Sequence, residues 1–271
     1  MIKNTNHDAL MMKIIVATTY ITMIMINALA NILPINGIGT GAVSDAYPNL
    51  FAPAGYTFLI WSVIYLALGG HVIFQFKKTF YSPETASMVQ KMRKWFSLSS
   101  VANSLWILSW HYDLILISMI LMLVILFSLV RCMFLIHTAK LTSLERRWGQ
   151  IPFSIYFGWI TVATIANFTT LLVKINWNAF GLRMDAWTSA IVIIGLGISI
   201  LAIVRFKDVV YGTVILWAYG GILSKHLSSN GFDGQYPVVI NTVVIAMLIL
   251  VGTLIYISYE RIKRIRIKFR S

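Results

Sequence analysis

Phe58, Trp61 and Tyr65 fall at spacings of three and four residues, so a helix would put all three rings on one face. They belong to the stretch Asn49-Leu-Phe-Ala-Pro-Ala-Gly-Tyr-Thr-Phe-Leu-Ile-Trp-Ser-Val-Ile-Tyr65, a polar proline-bearing loop that runs straight into apolar sequence. Two later stretches repeat the habit: Asn103, Trp106 and Trp110, then Trp159, Ala163 and Asn167. Rings beside one amide suit the holding of a flat apolar molecule, which would stack on the indoles while an amide orients its polar edge. The ordinary alternative is core packing with interhelical hydrogen bonds, worth on the order of 1 kcal/mol each, and spacing does not separate the two. Bond-making chemistry has less to stand on. The chain carries no Gly-rich phosphate loop, no His-Glu-x-x-His pair and no nucleophile elbow. Its histidines, His7, His71, His111, His137 and His226, never share a helical turn, which argues against a metal set. Asp113 beside His111 reads as an exposed turn more readily than as a proton relay. Neither an enzyme nor a bound cofactor or metal is expected.

The elements that must position these faces are membrane helices. Of 271 residues, 58% are hydrophobic and only 11% charged, too little charge for a soluble surface of this size. Apolar segments at about 12–33, 54–76, 95–111, 114–136, 151–173, 186–204, 209–227 and 237–258 each approach the length that crosses a bilayer. The expectation is an all-α, polytopic helical membrane bundle of eight transmembrane helices, with the lipid bilayer as its first partner. The N-terminal apolar run lacks a small-residue cleavage site and reads as a retained helix. Eight spans put both termini on one side and leave only Lys174, Arg183 and Lys225 opposite, so 19 of the 22 basic residues share a face. By the positive-inside rule that face, with both termini, is cytoplasmic, and the expected location is the plasma membrane of a cell, most readily a bacterial one. The net charge of +13 does not point to nucleic acid, because the cations sit between apolar runs and in the tail rather than along one soluble face. The tail Arg261-Ile-Lys-Arg-Ile-Arg-Ile-Lys-Phe-Arg270 reads first as a stop-transfer anchor, with anionic lipid as a second reading. Residues 34–53 form the longest external stretch and suit a lid. Without intramembrane carboxylates, ion-coupled pumping lacks its usual equipment.

Three motifs resemble the TspO/MBR family, the tryptophan-rich sensory proteins related to the mitochondrial translocator protein. Pro48-Asn-Leu-Phe-Ala-Pro-Ala-Gly-Tyr-Thr-Phe-Leu-Ile-Trp61-Ser-Val-Ile-Tyr65 is similar to that family's Pro-Pro-x-x-x-Phe-x-x-x-Trp-x-x-x-Tyr second helix. Ala102-Asn103-Ser-Leu-Trp106 is similar to its Asn-x-x-Trp third helix. Pro152-Phe-Ser-Ile-Tyr-Phe-Gly-Trp159-Ile-Thr-Val-Ala163-Thr164-Ile-Ala-Asn167 is similar to its Pro-Tyr-x-x-Trp-x-x-x-Ala-x-x-x-Asn fifth helix. The resemblance covers about residues 12–176 and implies a five-helix bundle that binds porphyrins, sterols or aromatic drug-like molecules. Carried over by position, the ligand-binding residues are Phe58, Trp61, Tyr65, Asn103, Trp106, Trp159, Ala163 and Asn167, with 34–53 as lid. Ala52-Pro53 stands for the family's double proline, and Pro152-Phe153 for its Pro-Tyr.

The implied organisation is a TspO-like bundle over 1–176, three additional transmembrane helices over 177–260 and a basic cytoplasmic tail over 261–271. Gly195, Gly197, Gly212, Gly220 and Gly221 suggest that the additional helices pack closely on something. The expected function is binding of a flat hydrophobic ligand, tetrapyrrole-like or similar, as sensor or carrier. A transporter for a lipophilic solute is the alternative, with a polar path past Tyr211, Trp217, Lys225, His226 and Asn241. A structural membrane subunit without ligand is the third reading.

Overall fold

A computed structural model describes residues 2–33, 35–77 and 85–268, with side chains over 8–33, 35–77 and 85–263. Pro34, Lys78 and the side chains of Lys3, Arg264, Arg266, Lys268 and Arg270, all used in the charge argument or the loop, lie outside that description. The described chain is helical: α1 (Ile2–Ile32), a short α2 (Thr40–Asp45), α3 (Ile60–Phe74), α4 (Ala86–His111), α5 (Ile115–Thr138), a single turn α6 (Ser143–Glu145), α7 (Ile151–Lys174), α8 (Met184–Phe206), α9 (Val209–Leu227) and α10 (Pro237–Lys268). A tighter 3-10 turn, Gly55–Leu59, leads into α3, and a π turn, Arg146–Gln150, leads into α7. Six segments are long and apolar enough to cross a bilayer: Asp8–Ile32, Gly55–Phe74, Ile115–Thr138, Ser143–Lys174, Met184–Phe206 and Pro237–Lys263. The chain is a multi-span membrane protein.

The polarity of α4 and α9 has a reason in the packing. Five helices close a ring, with α1 against α3 and α4, α5 against α4 and α7, and α7 back against α3. Within it, α4 buries Ser97, Ser99, Ser100, Asn103, Ser104 and Ser109. Ser99, Ser100 and Ser104 return their hydroxyls to carbonyls of their own helix, leaving small surfaces that α1 and α5 approach closely. Most of its surface is covered by protein and only a narrow apolar stripe, Leu98, Val101 and Leu105, is left exposed, so its apolar stretch looks short. Its charged first turns also carry it back to Ala86, nine residues before the apolar run begins.

The last three helices lie outside the ring, α9 on α7 and α10 on α8 and α9. Lys207 and Asp208 alone join α8 to α9. Lys207 is left-handed (φ 50°), and the Asp208 carboxylate caps α9 by accepting from the Tyr211 amide at 3.1 Å. Gly195, Gly212 and Gly221 do pack closely, but two of the five expected glycines do not: nothing lies within 4 Å of a Cβ at Gly197, and only the Met247 methyl, at 4.0 Å, near Gly220. Gly158 is a further close approach, where α9 brings the Tyr211 carbonyl within 2.9 Å of an added Cβ.

Candidate functional site

The three aromatic faces converge. Trp61 stacks on Tyr65 (ring centroids 5.5 Å apart), tilts against Trp106 (5.8 Å) and meets Tyr156 and Trp159 edge-on (6.1 Å each). Phe58 meets Trp159 at 5.8 Å, and Trp106 stacks on Trp110 at 5.9 Å. The rings nearly fill the space they enclose. A cavity of about 40 Å³, bordered by Phe58, Trp61, Trp106, Trp110, Trp159, Ala163 and Asn167, remains among them. On the other side of Phe58 and Trp61 a groove of about 480 Å³ opens between α1, α2 and α3, bordered by Asn27, Asn31, Thr40 and Tyr65.

The two amides are occupied by the protein. Asn103 is fully buried, accepts from Asn27 Nδ2 at 2.8 Å and donates to the Tyr156 hydroxyl at 3.1 Å. It lies behind Trp61 and borders neither cavity nor groove, so a direct hold on a ligand's polar edge does not follow from its position. Asn167 borders the cavity, but its Oδ1 accepts from Trp106 Nε1 at 2.9 Å and its Nδ2 donates to Ser118 Oγ at 3.0 Å. Several buried polar atoms elsewhere in the protein have no hydrogen-bond partner, and two of them belong to residues here: Trp159 Nε1, on a residue that borders the cavity, and the hydroxyl of Tyr65, which borders the groove.

The stretch 35–53 is latched down at three places. His111, at the end of α4, donates through Nδ1 to the Ile35 carbonyl (3.1 Å) and holds Thr40 Oγ1 at Nε2 (3.0 Å). Asn36 donates to the His111 carbonyl, and Trp110 Nε1 to the Thr40 carbonyl. Asp113 accepts from the Tyr47 hydroxyl and pairs with Lys174 at 2.6 Å, and these two partners hold its carboxyl below the usual range. The third latch comes from α9. His226 Nε2 donates to the Leu50 carbonyl (2.9 Å), the Ala54 amide to the Gly221 carbonyl (3.0 Å), Trp217 Nε1 to the Thr57 carbonyl (3.0 Å), and Lys225 pairs with Asp45 (3.1 Å). The turn that presents Phe58 is thus held from outside the ring.

A family model described as TSPO-like protein matches residues 13–256. The chain belongs to the TSPO-like protein family. The match runs on through α8, α9 and most of α10, past residue 176 where the motif resemblance ended. No curated protein and no solved structure matches the chain. In this TSPO-like chain Phe58, Trp61, Trp106, Trp159, Ala163 and Asn167 surround one cavity, Tyr65 borders the groove and Asn103 stands behind. Trp110, which is not in the carried-over set, borders the same cavity. Phe153, which stands for the family's tyrosine, is fully buried against His71 and Phe96 (5.0 and 5.2 Å), where a hydroxyl would meet rings. Tyr211, Trp217, Lys225, His226 and Asn241 do not line a common path. Tyr211 bonds Thr161, the next three hold segment 45–57, and Asn241 is exposed.

Proposed function

We propose that this protein binds a flat hydrophobic molecule, tetrapyrrole-like or similar, between α1, α3, α4 and α7, as a sensor or carrier without catalysis. The observation that carries the reading is the convergence of Phe58, Trp61, Trp106 and Trp159 around one cavity, with Trp159 Nε1 and the hydroxyl of Tyr65, which borders the adjoining groove, both unmatched. A buried donor without a partner costs about 1–3 kcal/mol, and a ligand with polar groups at its rim would remove that cost at both ends. The 40 Å³ cavity holds little more than a water, so binding requires Phe58 and Trp61 to swing and join it to the 480 Å³ groove. The joined space falls in the range of ordinary ligand sites, roughly 300–1,000 Å³. Residues 35–53 act as the lid.

The setting is a plasma membrane crossed eight times, both termini inside. α4, at 26 residues, is about 39 Å long and joins the inner end of α3 to the outer start of α5. α9 begins just after Phe206, which lies beside Phe134 and His137 of α5, and reaches His226 at the stretch 35–53. These lengths and positions support counting α4 and α9 with the six apolar segments.

Titrating the purified protein in detergent with protoporphyrin, with free tryptophan as the absorbance control, tests the proposal through indole fluorescence. Saturable quenching that falls in Trp61→Phe, Trp106→Phe and Trp159→Phe variants is the expected result. Absent quenching, or quenching that survives all three together, would leave the second reading. That reading takes the faces as packing and is favoured by the small cavity and the protein-bound amides.

A further inference from the structure

At the opposite end of the molecule from the lid, a pocket of about 340 Å³ gathers Arg146, Gln150, Lys207, Arg261 and His137 over the ring of Phe206. These residues come from four separate places: the end of α5, the π turn before α7, the α8–α9 link and the last turns of α10. Three cations so far apart in sequence meet here against their mutual repulsion, and none makes an ion pair among the described residues. The other end of the molecule behaves differently, since Lys174, Arg183 and Lys225 each have a carboxylate partner there. The acids next to the three cations in sequence do not border the pocket. Glu145, next to Arg146, is buried and accepts from the Thr142 amide and the Thr85 hydroxyl. Asp208, next to Lys207, is buried and turned to the Tyr211 amide and the Ser154 hydroxyl. Glu260, next to Arg261, does not border the pocket.

Lys207 ends α8 in the left-handed C-cap position, φ 50°, that glycine ordinarily fills. Phe206 forms the apolar floor and is itself packed on Phe134 at 5.1 Å. A cationic rim over an apolar floor, at helix ends where a bilayer has its headgroups, matches a lipid phosphate with its glycerol and first chain carbons beneath.

We propose that this pocket is a binding site for the headgroup of an anionic phospholipid, formed where Arg146, Lys207 and Arg261 converge over Phe206. The site is separate from the tryptophan box and stands or falls independently of it. Native mass spectrometry of the delipidated full chain, titrated with phosphatidylglycerol and with phosphatidylcholine, tests it. Each cation near a membrane surface contributes about a fivefold gain in binding. Lys207→Gly, which relieves the backbone while removing the charge and so keeps the fold, should lose about fivefold in phosphatidylglycerol binding. Adding Arg146→Gln and Arg261→Gln should bring the loss to the order of a hundredfold, with phosphatidylcholine binding unchanged. Lys91→Gln, Lys94→Gln and Arg131→Gln together, which remove equal charge outside the pocket, should leave the preference intact. An equal loss in that control would overturn the site in favour of general charge. Displacement of phosphatidylglycerol by inorganic phosphate at matched concentration would overturn the lipid as its ligand.

Discussion

Replacing Gly221 by alanine tests whether α9 sets the position of the ligand-facing turn. A Cβ at Gly221 would stand 2.1 Å from Thr57 Oγ1, 2.7 Å from its Cγ2 and 2.9 Å from its Cβ, against an ordinary contact of 3.4 Å or more. Thr57 is fully buried, so it cannot swing into open space. The helix and the turn must part by on the order of 1 Å, at the place where the Ala54 amide reaches the Gly221 carbonyl and Trp217 reaches the Thr57 carbonyl. Overpacking of this kind costs about 1–3 kcal/mol, and weakening a buried hydrogen bond adds about 1 kcal/mol. Gly221→Ala should therefore lose roughly 2–4 kcal/mol in unfolding by dodecyl sulfate from mixed micelles, followed by circular dichroism. Thr57→Ala removes the two nearest atoms, and the Thr57 hydroxyl has no partner to lose. The double variant should then recover at least about 1 kcal/mol relative to the sum of the single changes. A Gly221→Ala protein within about 0.5 kcal/mol of the parent, or strict additivity with Thr57→Ala, would refute the clamp.

Tyr65→Phe should leave the ligand-free protein as stable or slightly more so, because the hydroxyl it deletes is buried and unmatched, yet it should weaken porphyrin quenching; loss of stability with quenching unchanged would mean the hydroxyl is structural. Asn103→Ala should cost about 1–3 kcal/mol by taking the Asn103 partner from the Tyr156 hydroxyl and one of two acceptors from Asn27 Nδ2, while quenching persists, since Asn103 borders neither cavity nor groove. The Asp113 latch has a definite pH sign. Its carboxyl is lowered in the folded protein, so its contribution is complete above the unfolded carboxylate pKa of about 3.9 and is lost as pH falls through the lower folded value. Proteolysis of the stretch 35–53 should accelerate in that acid window, and Asp113→Asn should be fast at every pH, with no acid step of its own.

The membrane architecture was legible because lipid forces every backbone group into its own helix, which turns spans into apolar runs of readable length. The shared faces of Phe58, Trp61 and Tyr65 were legible for a related reason: helical periodicity alone places them. What each face meets depends on how the helices are rotated about their axes, and spacing carries no trace of that. Asn103 and Asn167 look alike in sequence, each on a helical face with tryptophan, one turn from Trp106 and two turns from Trp159. Only the fold turns the first inward to Asn27 and Tyr156 and leaves the second at the cavity wall. The hold of α9 on the stretch 35–53 was hidden more thoroughly. Its hydrogen bonds end on the carbonyls of Leu50, Thr57 and Gly221, and a backbone carbonyl has no residue signature. Gly221 was a visible signal of close packing, but its neighbour, Thr57, lies far away in sequence.

The closed state of the box also limits what it can bind. With Ala54 and Thr57 bonded to α9, the turn carrying Phe58 stays in place and opening falls to the rings themselves. Trp61 touches Tyr65, Trp106, Tyr156 and Trp159, and swinging it away forfeits about 0.5–1.5 kcal/mol per pair, or roughly 2–6 kcal/mol in all. A ligand of micromolar affinity, about −8 kcal/mol, must then supply on the order of 10–14 kcal/mol from its own contacts, before the cost of association. At about 25 cal/mol per Å² that corresponds to roughly 400–560 Å² of buried apolar surface. A single ring cannot offer that area, whereas a rigid plate of several fused or linked rings can, and it restores the lost stacking as it enters. A single-ring quencher such as nitrobenzene should therefore give no saturable quenching at micromolar concentrations where a porphyrin does. Saturable quenching by a single-ring ligand at micromolar concentration would show that the box opens at far smaller cost than its ring contacts imply.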